Sequence, residues 1–163
     1  MDNTEELFNI YINNPKILKM NTFKQHGYMT TYDHSVHVVN VGLELAKKLK
    51  CSTKQMENII IGGILHDYFL YDYHVTTRRL PDGLHAWAHP IIALRNANND
   101  FKLNNIQQNI IVSHMFPMTL FHIPKYKEAW IICLVDKYCA IIEYLNSIAY
   151  NVKLLYHKEQ KVY

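Results

Sequence analysis

Six residues, His34, His66, Asp67, His89, His114 and Asp136, are of the types that hold transition-metal ions. His66 and Asp67 are adjacent and close an apolar run, Ile59-Ile60-Ile61-Gly62-Gly63-Ile64-Leu65. A carboxylate beside an imidazole at the end of such a stretch is costly to bury unless something pairs with it. Asp136 is placed similarly, after Ala129-Trp130-Ile131-Ile132-Cys133-Leu134-Val135, so it too needs a buried partner. Four imidazoles and two carboxylates can serve two cations, and such mixed ligation suits Fe, Mn, Zn or Ni better than Ca. One Asp can bridge two ions with its two oxygens. Two ions roughly 3.5–4 Å apart can clamp a phosphoryl group and lower the pKa of a bound water, which makes a nucleophile at neutral pH without Ser or Cys. Taken singly, each residue has an ordinary alternative. His34, His89 and His114 read equally well as hydrogen-bonded core or cap histidines, and Asp136 as half of a buried salt bridge to Lys or Arg. The joint pattern carries the metal reading, because adjacency, order and helical facing agree.

The elements that must position these residues are helical, since the hydrophobic periodicity is helical almost throughout and no clear alternating strand appears. Asn3 to Asn13 reads as a first helix capped at Asn3 with Glu6 three residues on, and Pro15 opens a short segment to about Met20. Thr31 caps a long helix to about Lys50, with the stripe Val38, Val41, Leu45 and Leu49. His34 lies on that inward stripe. Ser52-x-x-Gln55 fits a capping box for a helix to about Asp67. On it Asp67 continues the line Met56, Ile60, Ile64, and His66 the line Ile59, Gly63. A polar, aromatic stretch from Tyr68 to Ala88 follows, with a turn at Pro81-Asp82-Gly83, and loops of this length in compact helical domains are often functional. Pro90 suits the first position of a helix to about Asn98, with His89 at its cap. Another helix covers Asn104 to His114, placing His114 on the face of Ile110 and Ile111. Met115 to Ile123, broken by Pro117, is a second loop. Pro124 opens a helix to about Asn146, and a last one runs from Ser147 to Lys158. The reading is an all-α bundle with two substantial loops.

At 163 residues the chain reads as one domain with a sizeable core, about residues 28–143, on which the N-terminal and C-terminal helices pack. The net charge is +3 and Lys and Arg are scattered, apart from Lys47-Lys48 and Arg78-Arg79, so no stripe for a nucleic-acid duplex is present. An acidic start and the absence of long apolar runs argue against a secretory signal and a membrane partner. Cys51, Cys133 and Cys139, odd in number and without C-x-x-C spacing, read as reduced core thiols of a cytoplasmic protein.

Other side chains near the set have weaker roles. Arg78 and Arg79 would grip phosphate with bidentate forks, against a reading as solvated loop charges. His85, one turn before His89, is a candidate catalytic proton donor, with a satisfied loop histidine as the equal rival. His37, one turn after His34, supports it or is structural. Lys137 points about 100° away from Asp136 and reads as a surface residue. Lys125 is a weaker candidate. Tyr68, Tyr71 and Tyr73 could line a pocket or pack in the core.

The order His, His-Asp, His, His, Asp on helices resembles the HD-domain superfamily of metal-dependent phosphohydrolases. The resemblance covers roughly Tyr28 to Glu143. It is carried by Tyr32-Asp33-His34-Ser35-Val36, Gly63-Ile64-Leu65-His66-Asp67, His85-Ala86-Trp87-Ala88-His89-Pro90, Val112-Ser113-His114-Met115 and Leu134-Val135-Asp136-Lys137. The two intervening His resemble the binuclear branch, and the whole looks like the small bacterial HD proteins. The resemblance implies an all-α HD-domain helical bundle with His34, His66, Asp67 and Asp136 as core ligands and Asp67 as catalytic bridge. His89 and His114 would complete the second site of a pair of divalent transition-metal ions (Fe, Mn, Ni, Co or Zn). It implies hydrolysis of a small phosphate ester, a nucleotide among the candidates, and is compatible with a homodimer. Tyr68-Phe69-Leu70-Tyr71-Asp72-Tyr73 follows the pair without a Lys, and a Gly-Tyr-Pro signature is absent, which points away from cyclic-dinucleotide cleavage. The same ligand order also resembles the di-iron oxygenases of the superfamily, and a non-catalytic nucleotide-sensing module is the third reading.

Overall fold

A Gly62-Gly63 pair lets the helix carrying His66 and Asp67 sit against neighbours on two sides. A computed structural model describes residues 3–25, 29–74 and 83–159. Among them are seven α-helices and no strand: α1 (Asn3–Ile12), α2 (Pro15–Leu18), α3 (Thr31–Lys48), α4 (Thr53–Leu65), α5 (His85–Asp100), α6 (Asn105–Ser113) and α7 (Lys127–Glu159). A 3-10 turn, Lys19–Thr22, extends α2. The all-α expectation holds, and among the described residues no helix is long and apolar enough to cross a membrane.

α4 packs against α1, α3, α5, α6 and α7. Its Ile60, Ile64 and Leu65 join Ile17, Met20, Val39, Ala93 and Ile111 in one cluster, while Ile59 joins Val38, Ile110, Ile132 and Cys139 in another. A Cβ on Gly62 would lie 2.7 Å from Ile110 Cδ1, and one on Gly63 would lie 2.7 Å from Val39 Cγ2. Only glycine allows α6 and α3 to approach so closely. Buried Asn58 ties the start of α4 to α6, its Oδ1 accepting from Asn104 Nδ2 (2.9 Å) and Gln107 Nε2 (3.1 Å).

The Ser52/Gln55 capping box forms as read from the sequence, and a second one forms at Asn104/Gln107. Several boundaries differ, Asn3 among them, which is the first residue of α1 and not its cap, and four have a visible local cause. Thr30, not Thr31, caps α3, because Asp33 is three residues past it and returns a bond to its backbone. The first α3 residue, Thr31, donates instead to the Phe23 carbonyl. α5 starts at His85, so Pro90 lies inside the helix and His89 is not its cap. The Leu84 carbonyl begins the ladder by accepting from the N–H groups of Trp87 and Ala88, both at 2.9 Å. Pro90, lacking an N–H, then leaves the Ala86 carbonyl without its helical donor. Residues 124–126 precede α7, since the Lys125 N–H is held by Asn109 Oδ1 at 2.8 Å. α7 then continues through Asn146-Ser147 without a break, for that pair contains neither Gly nor Pro.

Candidate metal centre

Each of the four candidate histidines is fixed by its Nδ1. His66 donates to the Gly63 carbonyl at 2.6 Å, His114 to that of Ile111 at 2.7 Å, and His89 to that of His85 at 2.9 Å. His34 Nδ1 meets Glu143 Oε2 at 2.8 Å. For His66, His114 and His89 the carbonyl acceptor selects the tautomer with a bare Nε2, which is how ligand imidazoles are oriented in metal sites, whereas His34, held between Glu143 and Asp136, would give up an Nε2 proton to a cation. The local cause is helix ending: His66 and His114 stand just past the last residues of α4 and α6, so their rings fold back onto carbonyls one turn earlier.

The four Nε2 atoms and the two aspartates then meet. Asp67 turns one oxygen to each side. Its Oδ1 is 3.4 Å from His89 Nε2 and 3.5 Å from His114 Nε2, and its Oδ2 is 3.5 Å from His66 Nε2. Asp136 Oδ1 lies 3.1 Å from His34 Nε2 and 3.6 Å from His66 Nε2. All six residues are buried. Asp136 therefore faces two imidazoles, not the Lys or Arg of the salt-bridge alternative.

Three features of this packing fit a cation. Among the described residues, His66 Nε2 and Asp67 Oδ1 are buried with no hydrogen-bond partner. An orphaned acceptor of this kind is costly in a protein interior. The Nε2 atoms of His89 and His114 are 2.9 Å apart, yet both rings spend their Nδ1–H on carbonyls, so two lone pairs face each other. The ligand atoms also fall into groups within 4.8 Å of one another: His34, His66 and Asp67; His66, His114 and Asp136; Asp67, His89 and His114. Nitrogen and oxygen donors in these numbers suit a divalent transition metal.

A family model, HD domain, matches residues 31–141, more than two thirds of the chain and all six of these residues. The chain belongs to the HD domain family. No curated protein and no solved structure matches it.

Asp67, His89, His114 and Asp136 line a cavity of about 670 Å³, together with Gln25, Tyr73, His85, Met118 and Lys137. His85 is thus at the cavity, its ring stacked on Tyr73 (4.2 Å between centroids) and on His89 (4.7 Å), with Nδ1 2.7 Å from the Tyr71 hydroxyl. Tyr68 instead packs in the core and donates to Asp100 Oδ2 at 2.8 Å. Lys137 is not a surface residue. Its stem folds back along α7, so that Nζ bonds the carbonyls of His114 (2.7 Å) and Cys133 (3.0 Å) at the cavity wall. Arg78 and Arg79 lie outside the described residues.

Two residues escaped the sequence reading. Glu143 is buried and clasps both His34 and His37, the latter at 2.8 Å. It lies one helical repeat, seven residues, after Asp136, a spacing that could have found it. Gln25 Nε2 donates to Asp67 Oδ2 at 2.6 Å. The Gln25 backbone is itself held by Met29 and by the Tyr73 hydroxyl. No periodicity marks Gln25, which lies between helices.

The HD cluster is strongly coupled to pH. Burial pulls the His34 imidazolium down, but hydrogen bonds to Asp136 and Glu143 more than offset it and push the pKa up to about 10. Burial raises the Asp67 carboxyl, yet His66, His89 and His114 bring it to about 2. Burial, then the charge on His66 and His89, drops His114 to about 3. In chelator-treated protein these shifts act from two sides. An unfolded chain protonates His114 near its ordinary 6.5 whereas the folded one does not until about 3, so stability falls as pH drops through that window. Asp67 adds stability above 3.8 that is lost toward about 2. His34 contributes stability that is complete below 6.5 and lost as pH rises through about 10. The melting temperature of the metal-free protein is expected to peak near pH 6–7 and decline both ways; a flat profile from acid to alkali would contradict this electrostatic picture.

Proposed function

We propose that the chain is a metal-dependent hydrolase of small phosphate esters, nucleotides among them, with two divalent ions held by His34, His66, Asp67, His89, His114 and Asp136. The observation that carries the reading is the clustering of these six side chains, with His66, His89 and His114 about the two oxygens of Asp67 and His34 and His66 about Asp136, beside a cavity of about 670 Å³ that Asp67, His89, His114 and Asp136 line. That volume lies in the range of small-ligand sites. Two ions so held would polarise a phosphoryl oxygen and lower the pKa of an attacking water.

The chain's own residues supply the rest. Asp67 and Asp136 fix the charge balance, and Glu143 holds the His34 ring in place. Lys137 brings a cation to the cavity wall beside Asp136, where it would attract the ester's anionic oxygens. Arg78 and Arg79 keep the role of phosphate ligands in this proposal on sequence grounds, as residues between α4 and α5. Burial, then the charge of Asp67, raises the Tyr71 phenol, so its hydroxyl stays protonated beside His85 Nδ1. As the imidazolium, His85 would donate its Nδ1–H to the Tyr71 oxygen and carry a second proton on Nε2. As water's oxygen bonds to phosphorus and the ester P–O bond breaks, that Nε2 proton would pass to the departing alcohol and leave a neutral imidazole, while the water's own proton leaves to solvent.

Protein purified without chelator and supplied with Mn, Fe, Co, Ni or Zn is expected to release phosphate or a nucleoside from a panel of nucleotides and simple esters. His85→Gln is expected to lower kcat about 100-fold on an alkyl ester, with little change in KM and little effect on p-nitrophenyl phosphate, whose leaving group needs no proton. Two tightly held irons with substrate-dependent oxygen uptake and no phosphate release would overturn the hydrolase reading in favour of an oxygenase. Nucleotide binding without turnover under every metal would favour a sensing module.

A further inference from the structure

Over residues 129–152 the charged side chains of α7 all bond inward. Between Ala129 and Val152 the only charged residues are Asp136, Lys137 and Glu143. Asp136 reaches His34, Lys137 reaches the His114 carbonyl, and Glu143 reaches His34 and His37. The outward side carries Trp130, Leu134, Tyr138, Ile141, Leu145 and Ile148, flanked by Tyr144, each between 41% and 62% exposed. At 3.6 residues per turn these seven fall in an arc of about 120°. A surface helix ordinarily shows the reverse, charges outside and apolar residues inside. An uncharged apolar face of this size marks an interaction surface.

We propose that this face of α7 is the interface between two copies of the chain, packed helix against helix about a twofold axis. The spacing identifies a helix as the occupant: Leu134, Tyr138, Ile141, Leu145 and Ile148 follow one another in alternating steps of four and three, the seam along which two helices interlock. A twofold contact requires a self-complementary patch, and an uncharged stripe presents no like charges to its own copy. The area fits as well, since seven large side chains about half exposed offer roughly 800 Å², one partner's share of a standard interface. Residues 144–149 point to the same occupant, for they extend α7 with every residue exposed except half-buried Ser147. A largely exposed helical segment is marginal in water, and a second α7 would supply packing for it. Beside the stripe a groove of about 330 Å³ between α3 and α7, lined by Val41, Leu45, Leu134 and Tyr138 and by the oppositely charged Glu44 and Lys48, gives a partner side chain a place to insert.

The test is the solution mass of the full chain by light scattering and sedimentation velocity. Wild-type protein is expected to be a dimer. The double variant Leu145→Lys/Ile148→Lys, which touches none of the candidate ligands, is expected to be monomeric, with the dissociation constant raised roughly 100-fold or more and ion content unchanged. Leu145→Lys alone, on the projecting segment, gives the same readout if the double variant does not fold. A wild-type chain that stays monomeric up to its solubility limit overturns the proposal, including one that binds lipid vesicles or another protein through this face. A dimer indifferent to both variants overturns it equally.

Discussion

Asp67→Ala is expected to empty both ion positions at once and to lower any phosphate-ester turnover by at least about 1000-fold. Its two oxygens serve different neighbours: Oδ1 lies 3.4 and 3.5 Å from the Nε2 atoms of His89 and His114, and Oδ2 lies 3.5 Å from that of His66. Asp67 belongs both to the group with His34 and His66 and to the group with His89 and His114, whereas Asp136 groups with His66 and His114. His114→Ala should therefore behave differently, weakening the groups it shares with His89 and with Asp136 and sparing that of His34, His66 and Asp67. Asp67→Ala also removes the charge that, after the adverse effect of burial, most strongly keeps the His66 imidazole raised. Breaking a buried charged set costs several kcal/mol, so the metal-free variant should melt earlier as well. Asp67→Asn keeps the shape and separates the two effects: it should fold near wild type and still lose one ion. The measurement is metal content by mass spectrometry of dialysed protein, alongside turnover. Asp67→Ala retaining two equivalents with full activity would remove Asp67 from the centre of the site.

The six candidate ligands were legible because burial makes a polar residue conspicuous. His66-Asp67 ends an apolar run and Asp136 follows another, and a helical chain can afford such residues only where they find each other. Helical facing supplied the rest, since His34 shares the stripe of Val38 and His114 that of Ile110. What stayed hidden depends on tertiary placement. Lys137 lies on a Cα direction that should point to solvent, yet four methylenes let its Nζ curl back to the carbonyls of Cys133 and His114. Gln25 sits in a connecting segment, and only the arrival of Tyr73 and Met29 aims its amide at Asp67. Pro90 misled for a local reason. Proline favours a first helical position, but here the turn before it was stabilised by Leu84 as an acceptor and by the His89 ring on the His85 carbonyl. The sequence divides α7 in two at Asn146-Ser147 because Asn and Ser are weak helix formers, a small penalty that neighbouring residues outvote.

Gly62→Ala should destabilise the protein by about 2 kcal/mol, although alanine is the better helix former. In an exposed helix the substitution gains about 1 kcal/mol. At Gly62 the new methyl would meet Ile110 at three atoms, Cδ1 at 2.7 Å and Cβ and Cγ2 at 2.8 Å. Ile110 is fully buried and branched at Cβ, so no rotation clears all three contacts. Overpacking of this kind costs about 1–3 kcal/mol, and contact with a Cβ atom places it at or beyond the upper end. The relief open to the fold is to move α6 away from α4, and α6 leads directly to His114. Binding of an ion by Asp67, His89 and His114 should therefore weaken more than binding by His34, His66 and Asp67. Gly63→Ala is the comparison. Its methyl meets one atom of Val39 (Cγ2, 2.7 Å) and the chain end of Ile132 (Cδ1, 3.0 Å), with no Cβ among the close contacts, so its cost should be smaller. Urea unfolding of the two variants measures the difference. Gly62→Ala at or above wild-type stability, or below Gly63→Ala in cost, would show that α4 and α6 are not in the close contact on which the placement of His114 beside Asp67 depends.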